Sequence, residues 1–428
     1  MRVRSRSAGR AMSHWIDGNG GVYVAGIGLH RYQFPTQTPY THLGLTAVRA
    51  ALADAGLAWQ QVQSAYIGTT SIGMAAGPVM LRHLGAGGLA VMQVENASAS
   101  GSFAFRQACI EVTHGISDVV LALGVDKHGD GRRAANKDGL EHLSDSATIP
   151  AVKFALMARS YLRERGAGAE AMARVAVKNH GNAARNPYAQ LRKPRTLEQV
   201  LAATKVVGDL TVPQCCPRGE GAAAVLLVSG HALGRLGLER KRCVRVRASC
   251  ANSERHQHPE RSEGHQCPER SERHQPPERS QGHQHPERSA PGAPRHGASA
   301  IELVRSSAQA ALEQAGIAAT QLDLLELHDA FSVEELLYSE AIGLCAPGEG
   351  PAYLERGDSQ IGGRCAINAS GGLLGMGHPL GPTGIGQIVE ITRQLRGAAE
   401  GRQHPGARWG MAHMIGLGAV AIAHVLSA

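Results

Sequence analysis

The stretch N-A-S-G-G-L-L-G-M-G-H-P-L-G-P-T-G-I-G, Asn368–Gly386, gathers seven glycines around one histidine, His378, just before a helical pattern. Glycines let backbone approach a ligand closely and adopt conformations closed to other residues, and an imidazole can act near neutral pH as base or donor. The same composition also suits a glycine-rich turn with an incidental histidine. Downstream, Gly384–Leu395 reads as a helix and the chain from Arg408 as two apolar strands.

Upstream lie a helix over Ala300–Ala315, a strand over Leu322–Leu327 and a helix over Ser332–Ile342. The segment E-L-H-D-A-F (Glu326–Phe331) stands where that strand ends, and strand ends of α/β sheets are where ligands bind. His328 there can donate to a developing oxyanion while Asp329 caps the following helix; a pair of caps without chemistry is the plainer alternative. The first half follows the same grammar. Gly21–Gly28 reads as a buried strand, Leu43–Ala55 as a helix, Ser64–Gly68 and Leu89–Val94 as strands, Gly101–Thr113 as a helix, and Asp118–Gly124 and Gly221–Val228 as buried strands. This βαβ alternation implies an α/β protein with a parallel or mixed sheet, and its recurrence points to internal duplication. E-N-A-S-A-S-G-S (Glu95–Ser102) forms a strand-turn-helix junction in which Ser98 faces the positive end of a helix dipole, although small serines also serve as ordinary caps.

At 428 residues the chain exceeds one core, and the expected organisation is a disordered tail over 1–20, a first half over 21–249 with a polar subdomain inserted at about 127–217, a disordered insertion over 250–297, and a second half over 298–428. The insertion contains four nine-residue units, ERHQHPERS, EGHQCPERS, ERHQPPERS and QGHQHPERS (Glu254–Ser289), with no apolar face to bury. The net charge of +8 owes half its excess to Arg2, Arg4, Arg6 and Arg10, and only 4% of residues are aromatic, so a nucleic-acid partner is not expected. Eight cysteines without framework spacing indicate reduced thiols and a cytoplasmic location, with no metal site. The N-terminus lacks an apolar core after its arginines, Met12 is an alternative start, and the apolar run Met411–Leu426 is shorter than a membrane span of roughly 20 residues.

Taken together, the motifs resemble the thiolase superfamily, and most closely its sterol-carrier-protein type. The resemblance is carried by V-E-N-A-S-A-S-G-S at Val94–Ser102, N-H-G-N-A-A-R-N-P-Y at Asn179–Tyr188, Q-C-C-P-R-G-E-G-A-A-A at Gln214–Ala224, H-D-A-F-S at His328–Ser332, the glycine-rich stretch through Gly384, and A-H-M-I-G-L-G at Ala412–Gly418. It implies two βαβαβαββ halves in five α-β-α-β-α layers, with the insertion in the first half forming a loop domain over coenzyme A. It also implies a homodimer or tetramer and coenzyme A as substrate or product, with no bound cofactor. Ser98 stands where such thiolases carry a reactive cysteine; His378 and His328 match the histidines of the thioester oxygen site, with a backbone amide near Gly416 completing it. Asn368, Gly371, Gly372 and Gly377 match the substrate-side glycine loop. The second thiol is missing as well, because Ala330 follows His-Asp and His413 occupies the position of the alternative C-terminal cysteine.

A thiol loses its proton far more easily than a hydroxyl, so Ser98 needs strong base activation to attack a thioester, and a serine oxyester returns its acyl group to coenzyme A uphill. Three readings follow. One is an acyltransferase-class enzyme making or breaking a carbon-carbon bond beside a coenzyme A thioester, in fatty-acid, steroid or aromatic acid breakdown. The second is a retro-aldol lyase on 3-hydroxyacyl-coenzyme A, working with a small β-barrel and zinc-ribbon partner that binds acyl-coenzyme A. The third is a non-catalytic acyl-coenzyme A or lipid-transfer protein.

Overall fold

A computed structural model describes residues 15–85, 87–127, 150–254, 298–416 and 420–428. The first half contains strands β1 (Val22–Gln33), β2 (Ser64–Gly68), β3 (Ala90–Val94) and β4 (Val119–Asp126), with helices α1 (Tyr40–Ala55), α2 (Ala76–Leu81) and α3 (Ser100–Thr113). The inserted subdomain follows as α4 (Pro150–Arg165), α5 (Ala169–Ala184), α6 (Leu197–Leu201) and the ribbon β5 (Lys205–Val207) and β6 (Leu210–Thr211). Strand β7 (Glu220–Ser229) then completes the first half. The second half contains β8 (Val244–Ser253), α7 (Ala298–Ala315), β9 (Leu324–Glu326), α8 (Val333–Ile342), α9 (Gly350–Glu355), β10 (Ala366–Ile367), α10 (Gly372–Gly375), α11 (Leu380–Leu395), β11 (Trp409–Gly416) and β12 (Val420–Ser427).

The strand order β10-β9-β11-β12-β8-β1-β7-β4-β2-β3 reads identically outward from its centre. Each half has two parallel pairings at its outer end and two antiparallel pairings toward the middle. The halves join where β1 pairs antiparallel with β8 at Val22–Val246, Tyr23–Arg245 and Val24–Val244. Helix α1 covers one face of the first half, α3 and α11 fill the middle, and α7 covers the far face of the second half, which gives five layers.

Period-two patterning explains how the strands serve two layers at once. Along β7, Ala222, Ala224, Leu226 and Val228 pack into the core under α1, whereas Ala223, Val225 and Leu227 face the core shared with α3 and α11. On β1, Gly26 and Gly28 leave no room for a Cβ against the α1 carbonyls of Ala51 and Ala47, so this helix lies unusually close to the sheet.

Three expectations change. Trp15–Gly20, expected within a disordered tail over 1–20, is a 3-10 turn with Ile16 buried. Strand β3, read with the buried strands of the sheet, is an exposed sheet edge with Met92 43% exposed, because it pairs only with β2. Strand β8 was not expected, and it runs through the anticipated boundary at 249; its alternation V-R-V-R-A-S-C-A-N-S is amphipathic rather than continuously apolar. The four repeats, the first fourteen residues and part of the polar subdomain lie outside the described residues.

Candidate active site

Two equivalent strand-to-helix turns bring Ser98 and His378 together. After β3, Ala97 takes a left-handed conformation with φ 49°, rare for a residue with a Cβ, and Ser100 pins the turn by accepting from the Asn96 N–H at 2.9 Å and donating to the Ala97 carbonyl at 2.6 Å. Ser98 is thereby held at the entrance to α3. After β10, the chain passes through the glycine loop and places His378 two residues before α11. Asp126, at the end of β4, anchors that helix start by accepting from the Gly381 N–H at 2.6 Å. The Ser98 Oγ and His378 Nε2 stand 3.0 Å apart, at the positive ends of both central helices.

The hydrogen bonds assign the proton on His378. Thr383 Oγ1 donates its single proton to the Pro379 carbonyl at 2.5 Å, so at 3.0 Å it accepts from His378 Nδ1–H. Nε2 then carries the lone pair and accepts from the Ser98 hydroxyl. His328 is oriented differently: its Nδ1 lies 2.9 Å from the Glu334 carboxylate, which accepts also from Tyr338 Oη at 2.9 Å and from the Phe331 N–H at 2.8 Å. An ionised carboxylate only accepts, so His328 donates from Nδ1 and its Nε2 is the available lone pair. The His328 and His378 rings meet edge to face, 5.4 Å between centroids and 88° between planes.

The other expected site residues build the frame. Asn368 has φ 55°; its Oδ1 accepts from the Leu327 N–H at 2.9 Å, and its carbonyl accepts from Asn182 of α5 at 3.1 Å. Gly371, Gly372 and Gly377 all have positive φ, and a Cβ on each would collide with Ala183, with the Asp329 carboxylate and with the Gln190 side chain respectively. Gly416 packs on the Asn96 carbonyl, next to the turn that carries Ser98. His413 is fully buried behind Tyr338, 6.4 Å between ring centroids; its Nε2 is engaged by Ser307 of α7 at 3.0 Å, and its Nδ1 has no hydrogen-bond partner among the described residues. Burial first, then the neighbouring His328, pushes its pKa down to about 3. Asp329, expected to cap the helix after it, instead accepts from the Leu373 N–H at 2.6 Å and from Asn179 at 2.8 Å, while Glu334 from within α8 caps that turn.

Behind the histidines lies a belt of buried carboxylates. Lys178 of α5 pairs with Glu335 at 3.0 Å and donates to the Ile367 carbonyl at 2.6 Å, and Arg402 pairs with Glu390 at 2.9 Å. Burial raises the pKa of Asp329 and Glu335 despite Lys178, and burial together with Glu390 pushes Glu326 up to about 8. A cavity of 370 Å³ lies between the inserted subdomain and the α9 region and one of 220 Å³ within the inserted subdomain, and Ser98, His328 and His378 line neither. Among the described residues no cluster of three or more His, Cys, Asp or Glu is placed to hold a metal ion, and no helix is long and apolar enough to cross a membrane.

Residues 30–194 match the family described as "Thiolase, N-terminal domain" and residues 295–428 the one described as "Thiolase C-terminal domain-like". Sterol carrier protein 2 of Gallus gallus is 32% identical over 421 residues, covering 94% of this chain and 70% of that protein. The chain belongs to the thiolase family. Benzoylsuccinyl-CoA thiolase subunit BbsB of Thauera aromatica is 31% identical over 93% of this chain and 95% of its own length. The solved Ltp2-ChsH2(DUF35) aldolase superposes with a TM-score of 0.77 at 25% identity, covering 95% of this chain and 97% of that one. This family member is a thiolase-like acyl-CoA enzyme.

Sequence reading missed Glu334, Thr383 and Lys178. Thr383 was legible as a hydroxyl in the first turn of the helix that follows His378. Glu334 carried a similar signal, an acidic residue in the first turn of the helix that follows His328. Lys178 had none, since only tertiary contact joins α5 to Ile367 and Glu335.

Proposed function

We propose that this thiolase-family chain cleaves the Cα–Cβ bond of a 3-hydroxyacyl-coenzyme A by a retro-aldol reaction. The observation that carries this reading is the His328–Glu334 pair. A neutral imidazole held by a carboxylate at Nδ1 offers Nε2 as a general base, and Glu334 stabilises the imidazolium once a proton is taken. In the proposed step His328 removes the β-hydroxyl proton, the Cβ–O bond becomes a carbonyl, and the Cα–Cβ electron pair passes into the thioester enolate. The protonated His328 then returns its proton to Cα, giving a ketone or aldehyde and a shortened acyl-coenzyme A. The enolate oxygen would lie toward the two helix N-termini, whose positive ends favour developing negative charge. No oxyester on Ser98 is required, which suits a hydroxyl at this position.

Thiolysis or Claisen chemistry through an acylated Ser98 is the second reading, favoured by the 3.0 Å contact with His378 Nε2. Incubation with acyl-, 3-ketoacyl- and 3-hydroxyacyl-coenzyme A series, bearing steroid, branched and aromatic chains, separates the two by products and intact mass. Product from a 3-hydroxyacyl substrate without an adduct supports the lyase. An acyl adduct abolished by Ser98→Ala supports the covalent path, and tight binding without turnover of any substrate sinks both in favour of a binding protein.

We further propose a small acyl-coenzyme A-binding partner subunit, supported by the printed names of a thiolase subunit and a two-component aldolase among the relatives. The exposed edge strand β3, with Met92 and nearby Met74 and Val79 uncovered, supports self-association into a homodimer through that edge. Free thiols at seven described cysteines support a reducing, cytoplasmic setting.

A further inference from the structure

A cavity of about 10 Å³ lies behind His378, lined by Tyr32, Glu326, Ser370, Thr383 and Gln387 with the glycine loop. Its volume sits at the lower limit of roughly 10–15 Å³ that one water needs, and its polar walls supply the two to four partners a buried water requires. One wall calls for such a water. Gln387 is 4% exposed; its Nε2 donates to the His413 carbonyl at 3.3 Å, which fixes the orientation of the amide, and its Oε1 has no hydrogen-bond partner among the described residues. A buried acceptor left unmatched carries its full desolvation cost, so a donor at that point is strongly favoured.

We propose that a single internal water occupies this cavity and makes Glu326 a positioning residue for His378: the water joins the Glu326 carboxyl to the Thr383 hydroxyl, and through it to Nδ1 of the imidazole. The inference rests on His378 being an active-site imidazole, and it is independent of which carbon-carbon chemistry follows.

The arrangement ties the state of the Glu326 carboxyl to the His378 ring. Ser370 donates to Glu326 twice, from its N–H at 2.9 Å and its Oγ at 2.5 Å, and leaves the remaining acceptor sites of the carboxyl for the cavity. The charged groups facing Glu326 are Glu390 of α11, itself paired with Arg402, and Lys178 of α5. Burial and the Glu390 charge keep Glu326 protonated to about pH 8. While neutral, the carboxyl can donate to the water. Once ionised, it can only accept, so the water turns a donor toward it and away from the Thr383 oxygen, which becomes a stronger acceptor for His378 Nδ1–H and so raises the basicity of the His378 nitrogen that holds the Ser98 hydroxyl.

The test uses the full chain without substrate, so that it stands apart from any assay of turnover. A crystal structure of the wild type should show one water in the cavity, and Gln387→Leu should expel it. In nitrogen-15 spectra the His378 ring should show its own titration and a second, smaller inflection near pH 8 that disappears in Glu326→Gln and shrinks in Gln387→Leu, with folded circular dichroism spectra throughout. A dry wild-type cavity overturns the proposal. So does a second inflection that is absent from the wild type or persists unchanged in either variant; the Gln387→Leu comparison serves alone if Glu326→Gln does not fold.

Discussion

Glu334 reaches back across six residues to hold His328, with Oε1 at 2.9 Å from Nδ1 and Oε2 occupied by the Phe331 N–H at 2.8 Å. Replacing it with glutamine removes the acceptor-only partner that fixes the tautomer and the charge that stabilises an imidazolium. Glu334→Gln is expected to lower kcat/KM for a 3-hydroxyacyl-coenzyme A by about 10²–10⁴-fold, the usual worth of a positioned general base, while the Kd for acyl-coenzyme A stays within about threefold. Steady-state kinetics beside calorimetric binding distinguish this from unfolding.

His413 and His424 are both fully buried, and burial pushes both pKa values down to about 3. The unfolded chain, with ordinary histidines near pH 6.5, binds more protons than the folded chain between those limits, so stability is complete above about pH 6.5 and is lost as the pH falls toward 3. Denaturant unfolding from pH 7 to 4 should show this slope, and His413→Leu should make it shallower by about one proton. An unchanged slope in that variant contradicts the assignment.

Lys178 is the cation between Glu335, Asn179 and the Ile367 carbonyl, 1% exposed at its side chain. Lys178→Met leaves buried carboxylates uncompensated and is expected to cost about 3–5 kcal/mol in urea unfolding. The double variant Lys178→Met with Glu335→Leu should recover most of that loss, since removing both charges together is far milder than removing one.

Strand β8 ends at Ser253 and α7 begins at Ala298, and the nine-residue units fall between them. Loop-closure entropy grows only with the logarithm of length, so deleting Glu254–Ser289 should change stability by no more than about 1–2 kcal/mol, with kcat/KM retained. A large drop in Tm would assign the repeats a structural role.

The apolar strands and helices were legible because period two and period 3.6 survive in β7, β12 and α11, where both faces of the sheet or most of the helix are buried. Strand β8 escaped because Arg245 and Arg247 alternate with valines and the strand runs straight into the polar repeats. At the site, His328, His378 and Ser98 could be singled out from local junctions and family motifs. Their partners divide by sequence distance: Thr383 and Glu334 sit within one or two turns and left a trace, whereas Lys178 and Asn182 act across 150 residues or more and left none. His413 is singled out by its place at the position of a family cysteine, and the sequence carries no signal of its complete burial on β11.

The mirror order of the ten strands places Ser98 and His378 at corresponding turns of the two halves, one after β3 and the other after β10. The repeat thus supplies the same socket twice and fills it with unlike tools, a hydroxyl in one copy and an imidazole in the other. Chemistry arises only where the copies face each other, so the twofold likeness of the scaffold had to be broken in side chains while being kept in backbone. Either half expressed alone would inherit a sheet and a helix dipole yet hold only one member of the reacting pair.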